Sequence, residues 1–511
     1  MQNFVSGGKL ISNGAVSLLM YAVQTVIGFF LIPIFIGKLG AETYGVWLLS
    51  GVLTGQLQFI DLGFTAGISR NIAGCLSRGD RRELGMTVFA GFVLLASVGV
   101  ITSAILFFGT PLFLRMFHIS AELHDSAAAL LRVTSFCLLI EWPLKMLPTI
   151  LQAGLMERYT SPLTTAYVIL LNVLCIALIS TGCVVWELRL AQLGCEIVLA
   201  AGLWLILRRK MAEASCFIIH DPRGLLRKIA PYSFGVFYAS LLKYFAIGID
   251  SFLLGVFLNP FAVAAYNVIT KFFVVINLVT NKLLSSVSAA VMHLDALNDK
   301  TRMEHLMRKA IQIRTTLVFS VVFPTIIFMK PFVINWVGVD FEQYVIWGQI
   351  YLTVPLLACL GEGVGVMVSC GKLRLVNTVN TVSAGLNFLI SIVLVGTAGV
   401  GGVIIGTVTA YMLLGDIVLF PIACCRLGFD ARPVLKRFLV SLAGNAAAGV
   451  CIYTAVCRLP VPGWGALVAM GGGCFAFYAV LNSFLSLERE VRRELLSYGA
   501  RICARDGLRE S

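Results

Sequence analysis

Three lysines stand deep inside long apolar runs of the sequence: Lys145, Lys243 and Lys271. A charge at the centre of a bilayer costs about 2.5 to 3.5 kcal/mol on insertion scales, so three facing lipid would cost about 8 to 10 kcal/mol, as much as the whole stability of many domains. Such groups must face a bundle interior or a wet cavity. Glu141 precedes Lys145 by four residues and can pair with it on one helical face. Asp250 follows Lys243 by seven residues, two turns along the same face. A structural salt bridge and a functional site explain those two pairs equally well. Lys271 has no comparable local acid, and Lys282, eleven residues on, returns to nearly the same face. That cationic stripe suits an anionic ligand such as a phosphate.

The remaining polar groups inside apolar runs qualify this picture. Arg132, Lys282 and Arg314 stand close enough to a run's end to snorkel. Six acids also lie within runs, namely Asp61, Glu141, Glu196, Asp250, Glu362 and Asp416, so a count of charges does not separate an anion carrier from a cation antiporter. Depth and pairing favour the anion. Asn377, Asn380 and Asn387 form a polar stripe that fits sugar hydroxyls and interhelical hydrogen bonds about equally. There is no P-loop, HExxH or nucleophile elbow, and the fourteen cysteines show no CxxC pair and read as small apolar packing residues. No catalytic residue, metal ligand or cofactor is therefore expected. The segments between runs on one side are too short to build a catalytic pocket, which counts against a membrane-bound polymerase.

The elements that must position these residues follow from composition. A chain of 511 residues that is 59% hydrophobic and 13% charged has too little polar surface to cover soluble cores. Runs long enough to cross roughly 30 Å of hydrocarbon occupy residues 10–36, 44–69, 85–108, 127–154, 160–182, 190–207, 231–257, 262–290, 310–329, 344–369, 375–396, 400–425, 437–457 and 463–485. The expectation is an all-α polytopic membrane protein with about fourteen transmembrane helices. Lys and Arg alternate strictly between the loops: one side collects Arg78, Arg81, Arg82 and the six cations of residues 208–228, while the other has only Lys38, Arg115, Arg189, Lys330 and Arg458. That places both termini in the cytoplasm and makes the net charge of +13 a topology signal rather than a nucleic-acid footprint. The longest cytoplasmic connection divides the chain into an N-terminal bundle of six helices (1–208), a linker (209–230), a second six-helix bundle (231–425), two further helices (426–485) and a tail (486–511). A weak repeat, with Tyr44 and Tyr266 in matching places after a very short outer turn, supports two similarly oriented bundles.

Residues 44–70, YGVWLLSGVLTGQLQFIDLGFTAGISR, carry a Tyr-Gly-x-Trp at Tyr44, Gly45 and Trp47, an Asp-Leu-Gly at Asp61, Leu62 and Gly63, and Arg70 nine residues after the Asp. This segment resembles the opening signature of the O-antigen and polysaccharide flippases of the multidrug/oligosaccharidyl-lipid/polysaccharide exporter superfamily, and the span plan fits that superfamily over nearly the whole chain. The resemblance implies movement of an undecaprenyl-diphosphate-linked oligosaccharide between leaflets of a bacterial inner membrane by alternating access. It implies a cationic cavity for the diphosphate and sugar acids, with Lys145, Lys243, Lys271, Lys282 and Arg70 as substrate contacts. Asp61, Glu141, Asp250 and Glu362 would be coupling or structural acids, with H+ or Na+ coupling in some members. Other polysaccharide assembly proteins would be partners. The lipid II flippase branch carries arginines in its first spans, whereas this chain has no cation between Lys9 and Lys38, which argues against a peptidoglycan-precursor role. An ion-coupled drug exporter of the same superfamily, motivated by Asp61, Asp250 and Glu362, is the second reading.

Overall fold

A computed structural model describes residues 23–494, apart from residue 26 and residues 212–217, 219–221, 245–247, 371–372 and 457–462. Among the described residues every regular element is helical, and eleven helices are long and apolar enough to cross a membrane. The chain is thus a multi-pass, all-α membrane protein. It divides into two compact units, Met1–Val268 and Ile269–Ser511.

The first unit contains α1 (Val23–Leu39), α2 (Ala41–Leu57), α3 (Phe64–Arg78), α4 (Arg81–Met116), α5 (His124–Leu144), α6 (Met146–Ala153), α7 (Glu157–Ser180), α8 (Val185–Lys210), α9 (Pro222–Lys243), α10 (Asp250–Phe257) and the start of α11 (Pro260–Ala296). At 36 residues α4 is about 54 Å long, well beyond the hydrocarbon thickness. Its first turn is polar, and the Asp80 carboxylate accepts from the Glu83 amide at 2.9 Å, satisfying one of the donors that a helix start leaves open.

In the first unit three of the expected spans are interrupted. Residues 44–69 form α2 and α3 joined by a 3-10 turn, Gln58–Asp61. Leu62 and Gly63 then take left-handed backbone angles, φ 49° and 75°, and both Asp61 carboxylate oxygens accept from the Thr65 amide at 3.2 Å. A polar cap in the middle of an apolar run thus starts a new helix there. Residues 127–154 divide at Lys145, because Pro148 has no amide to return to the Leu144 carbonyl. Residues 231–257 divide between Lys243, the last residue of α9, and Asp250, the first of α10. The run at residues 10–36 lies partly outside the described residues.

At Gly63 conformation and space act together. A methyl group there would lie 2.3 Å from the Ser233 carbonyl oxygen of α9, on a backbone that L-residues enter at a cost of about 1 to 2 kcal/mol. Gly63→Ala is expected to lower the melting temperature of the detergent-solubilised protein by several degrees, whereas Gly51→Ala, with nothing within 4 Å of the added carbon, should not. Equal melting of the two variants would refute the close-approach argument.

The second unit holds the rest of α11, then α12 (Lys300–Val337), α13 (Val345–Tyr351), α14 (Thr353–Leu357), α15 (Gly361–Ser369), α16 (Leu373–Ala398), α17 (Val400–Leu414), α18 (Asp416–Leu427), α19 (Arg432–Val456) and α20 (Trp464–Leu485). Because lipid tails are as apolar as a leucine core, helices inside a membrane need polar or close-packed contacts to hold together. Here Asn445 of α19 and Asn482 of α20 exchange amide hydrogen bonds at 2.8 and 3.0 Å. Ser486 donates to Ser441 at 3.2 Å, and Ser320 of α12 donates to the Tyr478 carbonyl at 3.3 Å. All six side chains are buried, so this network fastens the last two helices onto α12.

Candidate functional site

The first unit encloses two polar cavities. The larger, about 690 Å³, is walled by α2, α5, α6, α7 and α8 and takes in Trp47, Glu141, Lys145, Tyr167, Arg189 and Glu196. Lys145, at the α5–α6 break, lays its ammonium 3.5 Å from the centre of the Trp142 ring. That is the geometry of a cation on an aromatic face. It has no carboxylate within 4 Å among the described residues, although Asp61, Glu141 and Glu196 lie within its electrostatic reach.

The expected Glu141–Lys145 pair is not formed. Glu141 instead accepts from Arg189 of α8, which is buried. The helical turn between them is intact, the Lys145 amide donating to the Glu141 carbonyl at 3.1 Å, but the Lys145 ammonium lies on the Trp142 ring instead. Arg189 had been assigned to an outer loop. The structure starts α8 at Val185 and brings this residue into the cavity wall. Its Nη1 is buried without a hydrogen-bond partner. Glu196 receives the Tyr167 hydroxyl at 3.2 Å and the Gln192 amide at 2.9 Å.

The second cavity, about 670 Å³, is lined by Asp61, Gly63, Arg70, Gln152, Tyr232 and Ser240 among others. Arg70 stacks its guanidinium 4.4 Å from the centre of the Tyr232 ring. The signature segment thus serves both chambers: Trp47 lines the first, Asp61, Gly63 and Arg70 line the second, and the Tyr44 hydroxyl fastens α2 to Asn267 at 3.2 Å.

The other predicted contacts are dispersed. The side chains of Lys243 and Lys282 lie outside the described residues. Asp250 opens α10, after α9 ends at Lys243. It is fully buried and accepts from the Tyr266 hydroxyl at 2.6 Å. Lys271 sits half-buried on α11 in the second unit. Also in that unit, Arg314 is buried and donates to Glu362 at 2.5 Å rather than reaching for the interface. Asp416 accepts from Tyr411 at 2.8 Å. Asn387 is buried and accepts from Ser391 and Thr407 at 3.1 and 3.2 Å, so of its two readings the interhelical one holds, whereas Asn377 and Asn380 are exposed.

Comparison with known proteins matches this architecture. A family model described as polysaccharide biosynthesis protein covers residues 10–292, more than half of the chain. No curated protein matches by sequence. Among solved structures, the lipid II flippase MurJ in an inward closed conformation aligns with a TM-score of 0.69 at 13% identity, over 91% of this chain and 98% of that one. An inward-facing multidrug resistance MATE family transporter of the MOP superfamily gives 0.62 at 15%, over 83% and 99%. The eukaryotic MATE transporter AtDTX14 gives 0.56 at 15%, over 84% and 98%. At these identities the likeness is one of fold.

Proposed function

The chain belongs to the polysaccharide biosynthesis protein family, and from that premise we propose that it is a flippase. In this reading it carries an undecaprenyl-diphosphate-linked oligosaccharide from the cytoplasmic to the periplasmic leaflet of a bacterial inner membrane, for surface polysaccharide assembly. The observation that carries the reading is the cavity of the first unit. Within a membrane-spanning bundle it holds Lys145, a cation with no ion-pair partner among the described residues, beside the Nη1 of Arg189, which has no hydrogen-bond partner among them. A diphosphate oxygen has the charge and the acceptor capacity for both donors. Alternating access between two bundles, both termini in the cytoplasm and coupling to H+ or Na+ belong to the same proposal.

Depleting the chain in its own host should make the diphosphate-linked oligosaccharide accumulate on the cytoplasmic side while surface glycan disappears. Two acids on the same cavity wall, Glu141 and Glu196, support a second reading, an ion-coupled exporter of cationic compounds. Unchanged surface glycan together with heightened sensitivity to cationic dyes on depletion would overturn the flippase in its favour.

A further inference from the structure

The two cavities of the first unit are built on one plan. Each is of similar volume, about 690 and 670 Å³. Each contains one cation that makes no ion pair among the described residues and rests on an aromatic face: Lys145 on Trp142, Arg70 on Tyr232. They meet at one residue. Gln58 opens the 3-10 turn that divides the second span, lines both cavities and is exposed, and its side-chain amide has no hydrogen-bond partner among the described residues.

A side-chain amide carries two donors and two acceptor sites on a rotatable stem, so at a shared wall it can engage a polar group on either side. The turn beneath it is the one place where the second span is unwound. Irregular backbone at membrane depth is tolerated only where it is buried in protein or lines a cavity. A single large pocket would need neither a partition nor a second cation on its own aromatic platform.

We propose that the two cavities are successive stations for the same anionic headgroup, a prenyl diphosphate, and that the Gln58 amide hands it from the Arg70 station to the Lys145 station across the break in the second span. This rests on the flippase reading and adds to it that the headgroup occupies one station at a time. By the charge alternation of the loops, the Arg70 station faces the cytoplasm and is the loading station.

Alternative stations and one composite site differ in how variants combine. If one headgroup touched Arg70 and Lys145 together, each single loss would weaken binding strongly. If the stations alternate with comparable affinity, losing either leaves the other, and apparent affinity falls only about twofold, while losing both removes it.

The experiment titrates the purified full-length protein in lipid nanodiscs with radiolabelled farnesyl diphosphate, using inorganic diphosphate as competitor. Arg70→Gln and Lys145→Gln are each expected to weaken binding less than about threefold, and the double variant more than about thirtyfold, well beyond the product of the singles. Inorganic diphosphate should displace the label from both single variants. Gln58→Leu should weaken binding less than about twofold and lower flipping in reconstituted vesicles at least about tenfold. Arg70→Lys and Lys145→Arg, which keep the charge, should bind like wild type and so separate charge loss from misfolding. Single variants whose losses multiply to that of the double, a label that inorganic diphosphate leaves in place, or unimpaired flipping by Gln58→Leu would each overturn the two-station proposal. Multiplying losses or unimpaired flipping would leave the flippase reading standing, which the depletion experiment tests separately.

Discussion

Replacing Lys145 with alanine should reduce surface-glycan export in cells about 30- to 150-fold, the loss of about 2 to 3 kcal/mol expected when a charged donor is taken from a bound anion. Equilibrium affinity for a headgroup should fall far less, since Arg70 still receives it. In the two-station proposal transport registers the full loss, because every cargo molecule passes the Lys145 cavity. Lys145→Arg should keep most of the activity, since the cation on the Trp142 ring is retained. Folding is the usual confounder, and here it runs the other way. Removing a deep ammonium relieves a transfer cost of about 2.5 to 3.5 kcal/mol, so the alanine variant should accumulate in membranes at least as well as wild type. Full export by Lys145→Ala at normal abundance would remove this lysine from the cargo path.

The largest effect on stability is expected in the second unit. Arg314 on α12 and Glu362 on α15 form a 2.5 Å ion pair at side-chain exposures of 10% and 15%. Removing one member of a buried pair strands the other charge and costs about 3 to 5 kcal/mol, a large share of the roughly 5 to 15 kcal/mol by which proteins are stable. Arg314→Leu should therefore abolish the monodisperse detergent-solubilised species and reduce the amount in membranes severalfold. The Arg314→Leu/Glu362→Leu double variant strands neither member of this pair and should recover more than half of the wild-type amount. If the single variant melts like wild type, or the double is the worse of the two, the pair is not the fastening described.

Lys145 and Arg314 mark where the sequence was informative and where it was not. Lys145 is legible because a lone charge so deep in an apolar run has few places to go, and the structure puts it on a cavity wall. Arg314 reads as a snorkelling residue because it stands near a run's end, and its partner lies 48 residues away, beyond any helical spacing rule. Glu141 shows the same limit: local spacing offered Lys145, whereas folding supplied Arg189, also 48 residues off. Arg189 itself was hidden by its own charge, which ended the apolar window at residue 190 and pushed it into a loop. The all-helical plan was legible because a bilayer demands it. The breaks at Asp61 and after Lys243 were not, because averaging hydropathy over a window discards the turn chemistry of Asp61-Leu62-Gly63. Gln58, Tyr167 and Tyr232 gave no signal, since uncharged polar and aromatic side chains occur as ordinary packing in any span.

The divided second span also bears on how the chain is made. Ala41–Leu57 is 17 residues, about 25 Å of helix, short of a bilayer's hydrocarbon, and Phe64–Arg78 is shorter and ends in arginine. Neither half carries enough hydrophobicity to be recognised as a membrane segment by the insertion machinery alone, so the ribosome must deliver both before either can leave the translocon. The turn at Gly63 then closes against Ser233, roughly 170 residues later in synthesis. Until α9 emerges, the nascent protein holds an uncommitted joint in its second span, which makes this segment the natural place for membrane quality control to act on a stalled or truncated chain.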